Sequence, residues 1–579
     1  MLRCDRSISR DRGVKGRSLR LCGEATRAVT AIVCLGGASP LHAASIPTPV
    51  YPLFSITQKT TNATTTDLQL VAQCFQFVHG SYTAPQIAKL HNYNPDFVVL
   101  KYVNHEQTTS SSDVPEAEAD HRGELLYFKV AKLKWAIDAT TTTFNLAQTG
   151  GAIVLKASTK AGDLSSSTNS SQSYVTWIRA GTEFMRIEAW DSDASQITVS
   201  RGFAATTATT HVANGSVFCP VYQEDNYPDG PSKQIRYHYD PAYPVRWDLS
   251  LQSALQHVAD GYDGTWYDLL GCAPFKQADA NGASISAWWD FNASANYVKD
   301  VYCEYTEAGV NFAQNQFKAQ KGRWPILYAN NIQSSEYEVG SGGEKLLIMP
   351  TAIKPRPMDG FCIESFAGSI AQSDYDAWAQ GGPAKPPSKN ALSKWKDNVQ
   401  ELMKSSQAGI RTCPMICNAG VKVNMYEECA QAEKDDFESW AYATYLMGVE
   451  MRDTSCTTPL GVPVFRLEGS ARYAYLHPRY TWPIGEPAET KTYDLIDQYK
   501  PAGHSSYLRR FTNGLAIVNP ASSADNGIAL GRDYLDPETD QTTSTLDMAP
   551  HTGKVFLRTP PAMDVDAWRS YESERGFFH

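Results

Sequence analysis

Short apolar runs recur along the chain from about Ala72, and several are followed by stretches with apolar residues at helical spacing. The runs Cys74–Val78, Asp96–Asn104, Ile235–Tyr239, Tyr262–Leu269, Pro325–Asn330, Asp359–Phe366 and Thr412–Asn418 predict strands, with a last one at Val464–Leu467 or Ala471–Leu476. Helical spacing predicts helices over Leu249–Ala259, Tyr297–Lys318, Lys394–Ser405 and Phe437–Gly448. Strands alternating with helices predict an α/β fold with a parallel sheet, and eight repeats predict a (β/α)8 TIM barrel. A doubly wound open sheet is the alternative.

Two stretches break the alternation. From about Thr140 to Tyr222 the runs Gly151–Ala157, Phe184–Ala189 and Gln196–Val199 are short and alternating, divided by polar turns such as Leu164–Ser173. They predict a small all-β module inserted in the barrel, which a connecting loop tolerates because closure entropy grows slowly with length. From Tyr507 onward, Gly514–Asn519 and Lys554–Leu557 predict a C-terminal β-sheet appendage, with Asn513-Gly514 a hairpin dipeptide. The expected organisation is a leader over 1–44, barrel over 45–139, β module over 140–223, barrel again over 224–500 and a C-terminal β region over 501–579.

The leader is expected from its pattern. Arg3 to Arg27 bring eight basic residues, Ala28–Ala38 is apolar, and Ala43, Ala44 and Ser45 are small. That order is the order of a signal peptide, and it predicts a secreted or periplasmic protein. The apolar part is too short to span a bilayer, and no later segment is long and apolar enough, so no integral membrane segment is expected.

Composition narrows the function. At 579 residues the chain has room for two to four domains. Its 42% hydrophobic and 20% charged residues are ordinary for a globular protein. A formal net charge of −10 argues against nucleic acid as a partner, since such binders need a basic footprint. The 13 Trp, 30 Tyr and 21 Phe suit either an aromatic-lined groove or a large aromatic core. Of twelve cysteines, Cys4, Cys22 and Cys34 fall in the leader, while Cys74, Cys362, Cys413 and Cys417 lie in apolar runs that favour buried thiols. Export leaves room for one or two disulfides. No metal or cofactor site is expected: Cys413 and Cys417 lack a matching pair of ligands, and no HExxH, P-loop, GxSxG or EF-hand pattern occurs.

Two segments carry candidate chemistry, Gly261–Asp268 (GYDGTWYD) and Met358–Glu364 (MDGFCIE). Each has Asp-Gly at the start of an apolar strand and a carboxylate at its far end. Trp266 and Asp268 share one strand face, as do Cys362 and Glu364. Active sites of parallel barrels lie at the carboxyl ends of the strands. Two carboxylates delivered there form the pair that glycosidic cleavage needs, one protonating the leaving oxygen and the other attacking the anomeric carbon or activating water. The alternative is ordinary loop acids paired with Arg or capping helices. Lys101, Tyr102 and Asn104, then Tyr328, Asn330 and Asn331, then Asn418 close other strands and supply amides and phenols for sugar hydroxyls, although such residues are also common in turns. Trp266, Tyr267 and Tyr328 offer flat faces to a sugar, or fill a core; for Tyr267 the core is favoured.

With these residues in view, the chain resembles the glycosyl-hydrolase-like family 15 proteins. The matching features are Phe75–Tyr82, Asp96–Lys101, Gly261–Asp268, Tyr328–Asn331, Asp359–Phe366 and Arg510–Pro520. The inserted stretch is similar to a small β module of secreted and phage-type proteins through Ile197–Gly202, Thr206-Thr207, His211 and Gly215. The resemblance implies a TIM-barrel glycoside hydrolase with a poly- or oligosaccharide substrate. Similarity to barrels of the α-galactosidase kind, whose acids follow the fourth and sixth strands, implies Asp268 as nucleophile and Glu364 as acid/base. Two other classes remain open. One is a non-catalytic carbohydrate-binding or surface protein on a barrel. The other is a metal-dependent hydrolase, which would need His79, His105 and His477 to converge, and no HxH spacing links them.

Overall fold

The computed structural model describes residues 50–51, 53–57, 63–104, 107–109, 124–148, 177–191, 193–220, 222–225, 234–268, 277–278, 284–285, 288–329, 359–363, 365–407, 412–416, 423–452, 455–456, 460–463, 478–489 and 492–558. Its central element is an all-parallel eight-stranded sheet. The strands are β1 (Leu53–Thr57), β2 (Phe77–Gly80), β3 (Val98–Asn104), β4 (Gly264–Asp268), β5 (Ile326–Ala329), β6 (Gly360–Ile363), β7 (Thr412–Pro414) and β8 (Leu460–Pro463). They lie in the order β7-β6-β5-β4-β3-β2-β1-β8. The last strand in sequence therefore pairs with the first, and β7 and β8 also touch.

Helices fill most of the connections, as parallel pairing requires. They are α1 (Thr65–Cys74), α2 (Ala84–Tyr93), α3 (Pro244–Ala259), α4 (Lys299–Lys321), α5 (Gln372–Ala379), α6 (Leu392–Gln407), α7 (Val423–Glu428) and α8 (Gln431–Gly448). Local sequence explains their ends. The Thr64 hydroxyl accepts from the Asp67 N–H at 3.2 Å while the Asp67 carboxylate accepts from the Thr64 N–H at 2.7 Å, a reciprocal cap that starts α1. Gly322 at φ +72° stops α4 in the left-handed region that glycine enters freely. Gly309 matters differently, because a Cβ there would stand 1.7 Å from the Trp247 ring. Glycine thus lets α3 and α4 pack in contact.

The strand count reaches eight by a different route from the expected one. Ile235–Tyr239 is not a strand of the parallel sheet. Gln234–His238 pairs antiparallel with Tyr222–Asp225 and Gln107–Thr109 in a separate three-stranded sheet. Leu53–Thr57, which the apolar pattern did not single out, supplies β1 instead. One strand lost and one gained leave β4 and β6 as the fourth and sixth. The last strand is Leu460–Pro463, just before the expected positions, which lie outside the described residues.

A second sheet is antiparallel and closes on itself. Strands Tyr127–Leu133, Thr143–Gln148, Gln196–Phe203, Glu183–Asp191, Trp177–Ala180 and Ser216–Pro220 pair in that order, and the last returns to the first. The sheet starts at Tyr127 rather than near Thr140, and it also recruits Trp288–Asp290 from beyond β4. The run Gly151–Ala157 lies outside the described residues. Closure leaves the six strands without an open edge.

The motif of this module has a structural role. Glu183 is fully buried and accepts from Arg201 Nε at 2.7 Å and Nη2 at 2.8 Å, from the Gly202 and Thr209 N–H groups at 3.0 Å each, and meets His211 Nε2 at 2.8 Å. Arg201 also donates to the Asp138, Thr141 and Thr209 carbonyls, tying three turns together. Burial alone would raise the Glu183 pKa, but the bonds from Arg201, Thr209, His211 and Gly202 outweigh it and hold the group at about 2. Removing the carboxylate strands a buried guanidinium, so Glu183→Gln is expected to destabilise the module by about 3–5 kcal/mol. A depressed folded-state pKa means that the stabilisation is complete above the ordinary carboxylate range. It fades as pH falls from about 4.5 towards 2. Urea melts of wild type and Glu183→Gln across that range should converge at the acid end.

The C-terminal sheet has five antiparallel strands, ordered Tyr507–Arg510, Gly514–Asn519, Thr552–Arg558, Asp525–Asp536 and Gln541–Met548. It packs on α8, where a Cβ on Gly553 would stand 2.9 Å from the Trp440 Cα. No described helix is long and apolar enough to cross a membrane.

Candidate functional site at the carboxyl ends of the parallel strands

Strand alternation sorts the parallel sheet into two faces. Val78, Val99, Tyr267, Leu327, Phe361 and Ile363 belong to the large core shared with the helices. Phe77, Leu100, Trp266, Tyr328, Cys362, Cys413 and Met415 form a separate cluster on the opposite face. The register aligns Trp266 with Tyr102 on one side and with Tyr328 on the other, and Tyr328 with Gly360.

The two Asp-Gly pairs turn out to be register clamps. The Asp263 carboxylate accepts the Val99 N–H at 2.8 Å, while the Asp263 N–H donates to the Val99 carbonyl at 3.0 Å. Asp359 does the same to Leu327, at 2.8 Å in both directions. Each Asp thus locks the start of its strand to the neighbouring strand. His91 adds a 3.0 Å contact to Asp263. Gly264 follows because a Cβ there would lie 2.2 Å from the Ile326 carbonyl oxygen. Half of the repeated pattern is therefore structural, sited at the amino ends of the strands.

At the carboxyl ends an aromatic stack begins. The Trp266 and Tyr328 rings lie parallel, 5.8 Å apart and 7° from coplanar in orientation. The His79 ring stacks on Trp266 at 4.3 Å and 17° and faces Tyr102 at 6.1 Å and 25°. Trp266 and Tyr328 are buried and fill the cluster, whereas Tyr102 is 41% exposed. Tyr267 belongs to the helix-facing core, as favoured.

Other candidate residues divide clearly. Lys101 stands on the face opposite Leu100 and Tyr102; its Nζ donates to Ser81 Oγ at 3.1 Å and lies 5.5 Å above the Tyr262 ring. Asp268 is the backbone partner of Asn104 across β4 and β3. Their side chains, and all of Asn330, Asn331, Glu364 and Asn418, lie outside the described residues. His105 and His477 lie outside them too. Among the described residues, no three His, Cys, Asp or Glu side chains gather as metal ligands would.

His79 is the residue that belongs with this group and was set aside. It is 6% exposed, and among the described residues its Nε2 meets no hydrogen-bond partner. Burial lowers its pKa to about 3, so the ring is neutral. Its position was readable, because Phe77-Val78-His79 alternates and puts the imidazole on the face of Phe77. Two other acids titrate high through burial, Asp240 at about 6 and Glu438 at about 7. Both are held by tyrosines away from the strand ends: Asp240 by Tyr297 at 2.6 Å, and Glu438 by Tyr480 and by Tyr426 at 3.3 Å.

No family model matches the chain, and no curated protein matches it. Solved structures similar to it are glycoside hydrolases. The glycoside hydrolase domain of PelA from Pseudomonas aeruginosa shares 11% identity over 72% of this chain and 95% of its own, with a TM-score of 0.31. Trehalose-6-phosphate hydrolase of Bacillus licheniformis shares 8% over 87% and 98%, at 0.42. A Flavobacterium johnsoniae GH31 dextranase shares 9% over 89% and 53%, at 0.34. At such values the likeness assigns neither an activity nor a site to this chain.

Proposed function

We propose that β1–β8 close a (β/α)8 barrel and that the protein is a glycoside hydrolase acting on a poly- or oligosaccharide. The observation that carries this reading is the cyclic strand order, with an aromatic floor under the carboxyl ends of β2 to β5. In such barrels each interior layer draws its side chains from alternate strands. His79 on β2 stacks on Trp266 of β4, and Cys362 on β6 shares a cluster with Trp266, which is compatible with that rule. Two positions beyond Trp266 and Cys362 in the sequence come Asp268 and Glu364, the acids this reading assigns to the chemistry.

Asp268 is the nucleophile in this reading and attacks the anomeric carbon as the glycosidic bond breaks. Glu364 gives its proton to the departing oxygen. It then takes one from the water that releases the sugar from Asp268. In this reading Tyr102 on β3 and the amides of Asn104, Asn330, Asn331 and Asn418 are the candidates for binding sugar hydroxyls. Retention requires carboxyls about 5–5.5 Å apart, whereas inversion requires about 6.5–9.5 Å. We also propose export: Cys303 is disulfide-bonded, and such bonds persist in oxidising compartments.

The test is reducing-sugar release by the full chain from a panel of neutral polysaccharides, with the anomer of the first product read by NMR. Release with a defined anomer supports the reading. A crystal structure with the two carboxyls well beyond 10 Å apart would remove the pairing.

A further inference from the structure

The chain leaves β6 through a bulge that two asparagines hold. Met415, just past β7, donates its N–H to the Ile363 carbonyl at 3.0 Å, as a parallel ladder requires. A regular ladder would next bring the Ser365 N–H to the Met415 carbonyl. The Phe366 N–H takes that place at 2.9 Å, and the Ala367 N–H follows on the Ile416 carbonyl at 3.2 Å. The chain leaving β6 therefore carries an extra residue. Ser365 sits at φ +57°, in the left-handed region that residues other than glycine seldom enter. The other described non-glycine residues at positive φ stand in turns beside antiparallel strands, so Ser365 alone among them follows a parallel strand.

Side chains of α6 and of the residues before it replace the broken ladder. Asn390 Nδ2 donates to the Ser365 carbonyl at 3.0 Å and to the Phe366 carbonyl at 2.8 Å. Asn398 Nδ2 donates to the same Phe366 carbonyl at 2.9 Å and reaches that of Ser365 at 3.4 Å. The Ala367 carbonyl accepts from the Asn390 N–H at 3.1 Å and from Trp440 Nε1 at 2.8 Å. Asn390 is buried, and its carboxamide carries one N–H for each of two successive carbonyls. A strained residue persists only where its surroundings over-determine it, and such residues gather at functional sites. Bulges likewise re-aim side chains beside active sites. The residue immediately before Ser365 is Glu364.

We propose that Asn390 and Asn398 are positioning residues for Glu364: by holding the bulge at Ser365 they set the geometry of the backbone that carries the acid/base carboxyl. This inference rests on the hydrolase reading and adds to it the residues on which the acid depends. The acid must meet the departing oxygen closely, and a misplacement of about 1 Å costs on the order of a hundredfold in rate. Attack by Asp268, on a different strand, does not depend on this bulge. Loss of either asparagine should therefore weaken proton donation selectively.

The experiment compares wild type, Asn390→Ala, Asn390→Asp and Asn398→Ala in the full-length chain. Steady-state rates are taken on a polysaccharide and on a nitrophenyl glycoside. The Glu364 carboxyl is followed by NMR on 13Cδ-labelled glutamate, its signal identified from its loss in Glu364→Gln. Asn390→Ala should lower kcat on the polysaccharide by at least about tenfold, with KM little changed, and lower the nitrophenyl rate far less. Asn390→Asp should do no better, because a carboxylate has no N–H for the two carbonyls. Asn398→Ala should lose less in the same direction, since Asn390 still reaches both carbonyls. It carries the test if thermal melts show the Asn390 variants unfolded. The Glu364 titration should shift in both alanine variants. Equal losses on the two substrates overturn the proposal. So do rates and a Glu364 signal that stay at wild type in the folded variants. The hydrolase reading fails separately: if wild type releases no sugar while the Glu364 signal still moves in the variants, the positioning role stands and the hydrolase falls.

Discussion

Asp268→Asn is expected to lower turnover by about two to four orders of magnitude, the usual contribution of a positioned acid, base or nucleophile. The amide keeps the size of the carboxylate but neither attacks the anomeric carbon nor carries the negative charge that stabilises a developing oxocarbenium ion. Stability should hardly change, because the register of β4 is held at its other end by Asp263 and Gly264. Glu364→Gln should lose a similar factor on natural linkages, yet far less on an aryl glycoside whose phenol leaves without protonation. That split separates acid/base from nucleophile, since the Asp268 variant should fail on both substrates. Steady-state rates on a polysaccharide and on a nitrophenyl glycoside measure it. Variants that each keep more than about half of the wild-type rate would rule out this acid pair.

Arg509→Ala is expected to cost about 3–5 kcal/mol, as breaking a buried ion pair does. The side chain is fully buried on the first strand of the C-terminal sheet. Its Nη1 donates to the carbonyls of Leu446, Met447 and Val449 at 2.9, 3.1 and 2.6 Å, and its Nη2 donates to Glu450 at 2.5 Å. Leu446 and Met447 end α8 and Val449 is its C-cap, and such carbonyls have no partner inside the helix. A cation there also meets the negative end of the helix dipole. Truncation therefore loses four bonds and leaves Glu450 buried beside an uncapped helix end. Lysine should recover little, because one ammonium cannot reproduce a planar fork reaching both the carbonyls and the carboxylate. Urea titration should show a lower midpoint in both variants. A loss below about 1 kcal/mol in Arg509→Ala would mean that α8 and the sheet do not depend on this cap.

The acid pair and the cap differ in how far the chain itself reveals them. Asp268 and Glu364 stand out because each ends a short apolar run, and alternation assigns a face to every residue of such a run. The helices read equally well: the spacing over Leu249–Ala259, Tyr297–Lys318, Lys394–Ser405 and Phe437–Gly448 falls within α3, α4, α6 and α8 apart from two residues at the start of α4. Arg509 carries no such mark. Its partners lie some sixty residues earlier, and only packing brings them together.

Some properties were settled locally, by chain geometry alone. Among them are the strand–helix alternation and the face on which His79, Tyr102 and Trp266 lie; that β4 and β6 are the fourth and sixth strands depended on Leu53–Thr57 joining the sheet in place of Ile235–Tyr239. The tertiary structure decided what depends on partners distant in sequence. Gln234–His238 has the pattern of a parallel strand, yet it joins an antiparallel sheet, because pairing depends on which backbone edge is nearby and not on composition. The Asp of each Asp-Gly became a clamp because a neighbouring strand offered its N–H. His79 came to stack on Trp266 because the parallel sheet presents β2 and β4 on one face, a contact between residues nearly two hundred positions apart.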